Sequence, residues 1–169
     1  RYELAQGHFQ QALALSRSVN DQRGIADALT SLGQSAVTQG DYPAADDYFQ
    51  QALALCETLG NQRGKARILN SLGNVSNHQG NDTQADAYYH EALATFKEIG
   101  AQFAVAVSLN NLGMVQITRN DYDHARDYFI QSLATFRIIN HEFGIAMVLT
   151  ELGYVYLHLG QVDADTTLT

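Results

Sequence analysis

Apolar positions in this chain recur on two nested periods. Ala45, Phe49, Ala52 and Leu53 are separated by 4, 3 and 1 residues, the spacing that places side chains on one face of an α-helix. The same pattern returns every 40 residues: Ala5, Ala45, Ala85 and Ala125; Phe9, Phe49, Tyr89 and Phe129; Leu13, Leu53, Leu93 and Leu133. A second set keeps the same step: Leu29, Leu69, Leu109 and Leu149; Leu32, Leu72, Leu112 and Leu152; Gly33, Gly73, Gly113 and Gly153. Self-similarity at a fixed period of this length is the signature of a repeat architecture.

Half that period sets the punctuation. Asn20, Gly40, Gly60, Gly80, Gly100, Asn120, Asn140 and Gly160 stand 20 residues apart. Gly and Asn best tolerate the left-handed backbone that closes a helix. Asp21, Asp41, Asn61, Asn81 and Asp121 follow as good N-caps, with Ala101, His141 and Gln161 the weaker exceptions. Pro43 falls in a first turn, where its missing N–H costs nothing. The pattern predicts helices near residues 2–19, 22–39, 42–59, 62–79, 82–99, 102–119, 122–139 and 142–159, and no strand. One-residue connections would force neighbouring helices antiparallel. Each hairpin then has an apolar face that it buries only by stacking on the next. The expected fold is all-α, an α-solenoid of antiparallel helix hairpins in a single array. It divides into a half repeat 1–20, repeats 21–60, 61–100 and 101–140, and a partial repeat 141–169.

The four repeated glycines lie mid-helix, where each costs about 1 kcal/mol relative to Ala. Close approach of a partner helix, opposite Ala45, Ala85 and Ala125, is the expected reason.

Composition narrows the function classes. The chain has 169 residues, 46% of them hydrophobic, and a formal net charge of -8. Ten Lys and Arg residues spread thinly do not make the clustered cation surface that duplex DNA or an anionic membrane requires. No uninterrupted run approaches the length of a membrane span, so neither nucleic acid nor membrane is expected as a partner. The lone Cys56 excludes an intramolecular disulfide and a multi-Cys metal site. It is expected to be a buried structural thiol in a reducing, cytoplasmic setting. Six histidines (His8, His78, His90, His124, His141, His158) never fall in HxxxH or HExxH spacing, and the glycines form no phosphate loop. The acidic residues of the second helices, such as Asp46, Asp47, Asp86 and Glu91, suit a solvated outer face. No catalytic residue, cofactor or metal ligand is expected.

The segment NSLGNVSNHQGNDTQADAYYHEALA, residues 70–94, resembles the tetratricopeptide repeat: Leu72-Gly73, the turn Gly80, then Ala85, Tyr89 and Ala92. A period of 40 resembles the longer-helix subclass of the LGN/Pins adaptors, kinesin light chains and MalT- or Rap-type bacterial sensor arms. The resemblance implies a right-handed superhelix whose first helices line a concave groove for protein or peptide ligands. Carried over position by position, it implies groove residues Asp27, Thr30, Gln34 and Thr38; Arg67, Asn70, Asn74, Asn77 and His78; Val107, Asn110, Met114, Ile117 and Thr118; and Met147, Thr150, Tyr154, Leu157 and His158.

Arg67, Asn70, Asn74, Asn77, His78, Asn110, Met114 and Tyr154 are the residues singled out as the binding site. Asn70, Asn74 and Asn77 form one stripe at i, i+4, i+7, and an Asn amide both donates and accepts, as a peptide backbone does. Asn110 would extend the stripe into the next repeat, and Arg67 could meet a carboxylate. Met114, Ile117, Met147, Tyr154 and Leu157 would make the later half apolar. Arg67 is the only cation among these positions, which disfavours a clamp for a terminal carboxylate. The expected function is a non-catalytic protein- or peptide-binding scaffold, the sensor or adaptor arm of a larger regulatory protein. The alternative is a structural module that self-associates end to end. Helix 142–159 would present Leu149, Leu152, Val155 and Tyr156, and the first helix Ala5, Phe9 and Leu13, with Leu168 a candidate cover for Tyr156.

Overall fold

The structure, a computed structural model, describes the backbone of residues 2–166 and the side chains of residues 4–160. Leu168 lies outside the described residues. Within them the chain forms α1 (Tyr2–Ser18), α2 (Gln22–Gln39), α3 (Tyr42–Thr58), α4 (Gln62–His78), α5 (Asp82–Glu98), α6 (Gln102–Thr118), α7 (Tyr122–Ile138) and α8 (Glu142–Thr166). No strand occurs among the described residues. The fold is all-α, built of successive packed helix pairs.

The punctuation works as the residues dictate. Asn20, Gly40, Gly60, Gly80, Gly100, Asn120 and Asn140 all have positive φ, between 52° and 75°. The reversal is therefore made by the residues that least resist it. The next helix is then capped. Asp21, Asp41, Asn61 and Asp121 accept from the backbone N–H of Gly24, Ala44, Gly64 and His124 at 3.1, 3.1, 3.0 and 3.2 Å. His141, expected to be a weak cap, also closes its helix, with its Nδ1 accepting from the N–H of Gly144 at 3.0 Å. The amide of His124, with its ring nitrogen beside it, holds the Asp121 carboxyl below the usual carboxylate range. That contribution is complete above the unfolded-state pKa and is lost as pH falls through the lower folded one.

Ala101 occupies the same backbone position with no side-chain bond. Ala101→Asp should supply the missing acceptor and stabilise the fold by about 1 kcal/mol. A thermal melt showing no rise would mean that α6 does not use its N-terminal amides as the other helices do.

Two sequence expectations change. The connections span two or three residues, not one, because the left-handed residue and the cap are both outside the helices. Gly160 does not stop α8, which continues to Thr166. Gln161 is not a capping residue, and a glycine permits a reversal without enforcing one.

The chain divides into two compact units, Arg1–Tyr88 and Tyr89–Thr169, where the period alone predicts one array. In the first unit α1 packs on α2, α2 on α3 and α3 on α4, and α2 also touches α4. Leu13, Leu29, Leu32, Ala45, Phe49, Ala52, Cys56, Ile68, Leu72 and Val75 fill its core. In the second unit α6 packs on α7 and α7 on α8, around Ala106, Ala125, Phe129, Leu133, Phe136, Val148, Leu152 and Val155. The repeat positions are therefore core positions. Ser132 stands where the other repeats have Ala12, Ala52 and Ala92, and its buried hydroxyl donates to the Ala106 carbonyl at 2.8 Å.

The interior glycines are close-packed, against a different partner from the one expected. A Cβ on Gly33 would lie 2.6 Å from the Phe49 ring, and one on Gly113 equally close to Phe129. The repeated aromatic, one turn beyond Ala45 and Ala125, presses its ring onto the glycine. Gly153 has nothing within 4 Å.

Candidate functional site

In the first unit α2 and α4 lie side by side, so residues at the same repeat position become neighbours. Asp27 and Thr30 from α2 and Arg63 and Arg67 from α4 line one cavity of ≈ 100 Å³, with Ala26, Ile68 and Cys56 beneath and Asn61 and Gly64 at the rim. Arg63 and Arg67 are one turn apart and both exposed, so both guanidinium groups can reach an oxygen ligand at this opening. Cys56 is buried. Burial pushes its thiol up, the Asp27 charge adds to that and Arg67 opposes it. The thiol therefore stays protonated and weakly nucleophilic at neutral pH.

Beyond Arg67, α4 continues the same face with Asn70, Asn74 and Asn77, all half-buried. Asn70 and Asn74 already interact within the fold, which fixes where their amides point. His78 is exposed at the end of α4, where its ring stacks on Tyr42 at 5.1 Å and 11°. One face of the imidazole is thus taken by α3.

The second unit holds the other three residues singled out from the sequence. Asn110 is enclosed, 8% exposed, and its Oδ1 is buried without a hydrogen-bond partner. Met114 is half-buried and packs, with Val107, Ile117 and Met147, against the core. Tyr154 is exposed, with its ring 4.4 Å from His158. His158 in turn stacks on Tyr122 at 4.7 Å and 3°. The apolar group expected in this half therefore splits into buried packing residues and an exposed part, Tyr154 and Leu157.

Reading residues singly missed the imidazole–tyrosine stacks. Tyr42 with His78 and Tyr122 with His158 recur at a step of 80 residues, a pairing visible only when two positions are compared together. Also missed were Gly24, Gly64 and Gly144 in the first turns of α2, α4 and α8. A Cβ there would meet Ser16 Oγ at 2.5 Å, Cys56 Sγ at 2.8 Å and the Phe136 ring at 2.6 Å respectively. The 40-residue step between Gly24 and Gly64 was the available signal. Among the described residues no group of three His, Cys, Asp or Glu could hold a metal ion. Glu142–Gly160 in α8 has a mean hydropathy of 1.3 and the length to cross a membrane, which a search for unbroken apolar runs overlooks.

A family model described as tetratricopeptide repeat matches residues 1–58 and 64–138. No curated protein matches the chain by sequence. Among solved structures, BtubC (BKLC) from P. vanneervenii is similar with a TM-score of 0.81 and 21% identity over 96% of this chain and 68% of that one. A Rap protein complexed with Competence and Sporulation Factor gives 0.82 and 18% over 98% of this chain and 46% of that one. A signal-transduction ATPase with numerous domains and a tetratricopeptide-repeat sensor, from Pyrococcus horikoshii, gives 0.82 and 18% over 92% and 24%. At these identities the likenesses show the fold alone. The chain spans about half or less of the last two proteins' length.

Proposed function

This chain belongs to the tetratricopeptide repeat family, and on that footing we propose that it is a non-catalytic scaffold that holds an extended peptide or protein segment. The first helix of each pair would carry the contacts. The observation behind this reading is the polar seam of the first unit. Asp27 and Thr30 meet Arg63 and Arg67 around one cavity, and the α4 face continues from there into Asn70, Asn74 and Asn77. Anchored amides beside a cation bond a backbone through its own N–H and C=O groups, whatever its side chains. The Rap protein, solved in complex with Competence and Sporulation Factor, is a precedent for a ligand on this fold. The sensor repeats of the Pyrococcus horikoshii ATPase are a precedent for a regulatory arm within a longer protein. The reading sets the scaffold in the cytoplasm, which the unoxidised, buried Cys56 supports.

The test is an array of immobilised peptides probed with the wild-type chain and with the triple variant Arg67→Ala, Asn70→Ala, Asn74→Ala. The variant should keep its helical circular dichroism, since Ala is the better helix former, and lose the peptides that the wild type retains. Identical binding profiles for two equally folded proteins would overturn the assignment of the α4 face.

A further inference from the structure

Two helices of this chain carry matching halves of one interface. Within a repeat the second helix lays its aromatic residue on the glycine of the first: Phe49 on Gly33 between α3 and α2, Phe129 on Gly113 between α7 and α6. These contacts are closed. Leu29 and Leu109, one turn before the glycines, are 2% and 3% exposed, and Phe49 and Phe129 are fully buried.

The same register on α8 is open. Leu149 is 46% and Tyr156 54% exposed, and the space over Gly153 is empty to 4 Å. The α8 backbone continues as helix to Thr166, so residues 161–166 do not turn back along this face. On α1 the complementary register is open too. Phe9 is only half-buried, and Ala12 is exposed where Ala52 and Ser132 are fully buried. Beside Phe9 an apolar hollow of ≈ 280 Å³ opens against Ser31, Gln34, Ser35 and Thr38 of α2.

We propose that the α8 face of one molecule takes the α1 helix of a second copy of this chain, with Phe9 of the second copy seated over Gly153. The occupant is chosen by register. The face has the shape that α3 and α7 fill on their own partners, and α1 carries the same Ala5, Phe9, Ala12 spacing with that face uncovered. Charge permits it. Residues 4–16 of α1 contain no Asp, Glu, Lys or Arg, so nothing on it repels Glu151 of α8 in a chain of net charge -8. Because the two surfaces differ, the contact is head-to-tail and does not close at two copies.

Sedimentation velocity on the 169-residue chain over a hundredfold concentration range tests this. The weight-average mass should rise without a plateau at the dimer. Gly153→Gln places a polar side chain in empty space, so it should keep the helical spectrum of the wild type and remain a monomer throughout. Phe9→Asp, checked in the same way for helicity, should do likewise, and mixing the two variants should restore no more than a heterodimer through their remaining intact faces. A wild-type chain that stays monomeric at every concentration would overturn the proposal. So would a mass that saturates at two copies, or a folded Gly153→Gln variant that associates as the wild type does.

Discussion

Gly113→Leu will lower the melting temperature, whereas Gly153→Ala, at the same repeat position, will raise it. At Gly113 an added Cβ would sit 2.6, 2.8 and 2.9 Å from three ring carbons of Phe129. Phe129 is fully buried, so its ring has nowhere to retreat without moving α6 from α7. Overpacking of this kind costs about 1–3 kcal/mol, and the better helix propensity of Leu offsets under 1 kcal/mol of it. For a chain of this length each kcal/mol moves the midpoint by about 2–4 °C. At Gly153 the propensity term acts alone, because nothing lies within 4 Å. Gly153→Ala should therefore gain up to about 1 kcal/mol when measured at dilution. Differential scanning calorimetry on both variants checks the pair. Shifts of the same sign would mean that the Phe129 ring does not set the requirement for glycine.

That contrast also marks how far the residues could be read in advance. Seven of the eight helix ends fall within a residue or two of the expected positions, because the left-handed residue and the following cap specify the reversal locally. The exception, Gly160, has the first signal without the second, and α8 runs on. The need for glycine at Gly33 and Gly113 was legible, yet its partner was not. The period places Ala45 and Phe49 on the same helix face, and only the packed geometry shows that the ring, not the methyl, fills the space. At the candidate site, Asp27 and Arg67 were readable as neighbours because both stand six residues after a cap in adjacent repeats. The enclosure of Asn110 was not readable from groove position alone. It follows from α6 having no charged residue between Gln102 and Thr118, so that it buries residues on more than one side, Val105, Ala106, Ser108 and Leu109 among them.

Asn110→Leu is expected to stabilise the protein. The residue is 8% exposed and its Oδ1 is buried without a hydrogen-bond partner. A buried acceptor left unsatisfied costs about 1–3 kcal/mol, and Leu has the same branched outline as Asn with a higher helix propensity. The midpoint should therefore rise by about 2 °C or more, at roughly 2–4 °C per kcal/mol. Asn70 and Asn74 differ, since both are half-buried and already interact within the fold. Their removal should bring no such gain. A fold that keeps an unpaired amide where Leu would serve better has traded stability for something else, and under the scaffold reading that is a hydrogen bond offered to a bound backbone when α6 adjusts around it. The two effects separate in one variant: Asn110→Leu should melt higher and retain fewer peptides on the array. A lower melting temperature would show that the amide is needed for packing, and the case for Asn110 as a binding residue would fall with it.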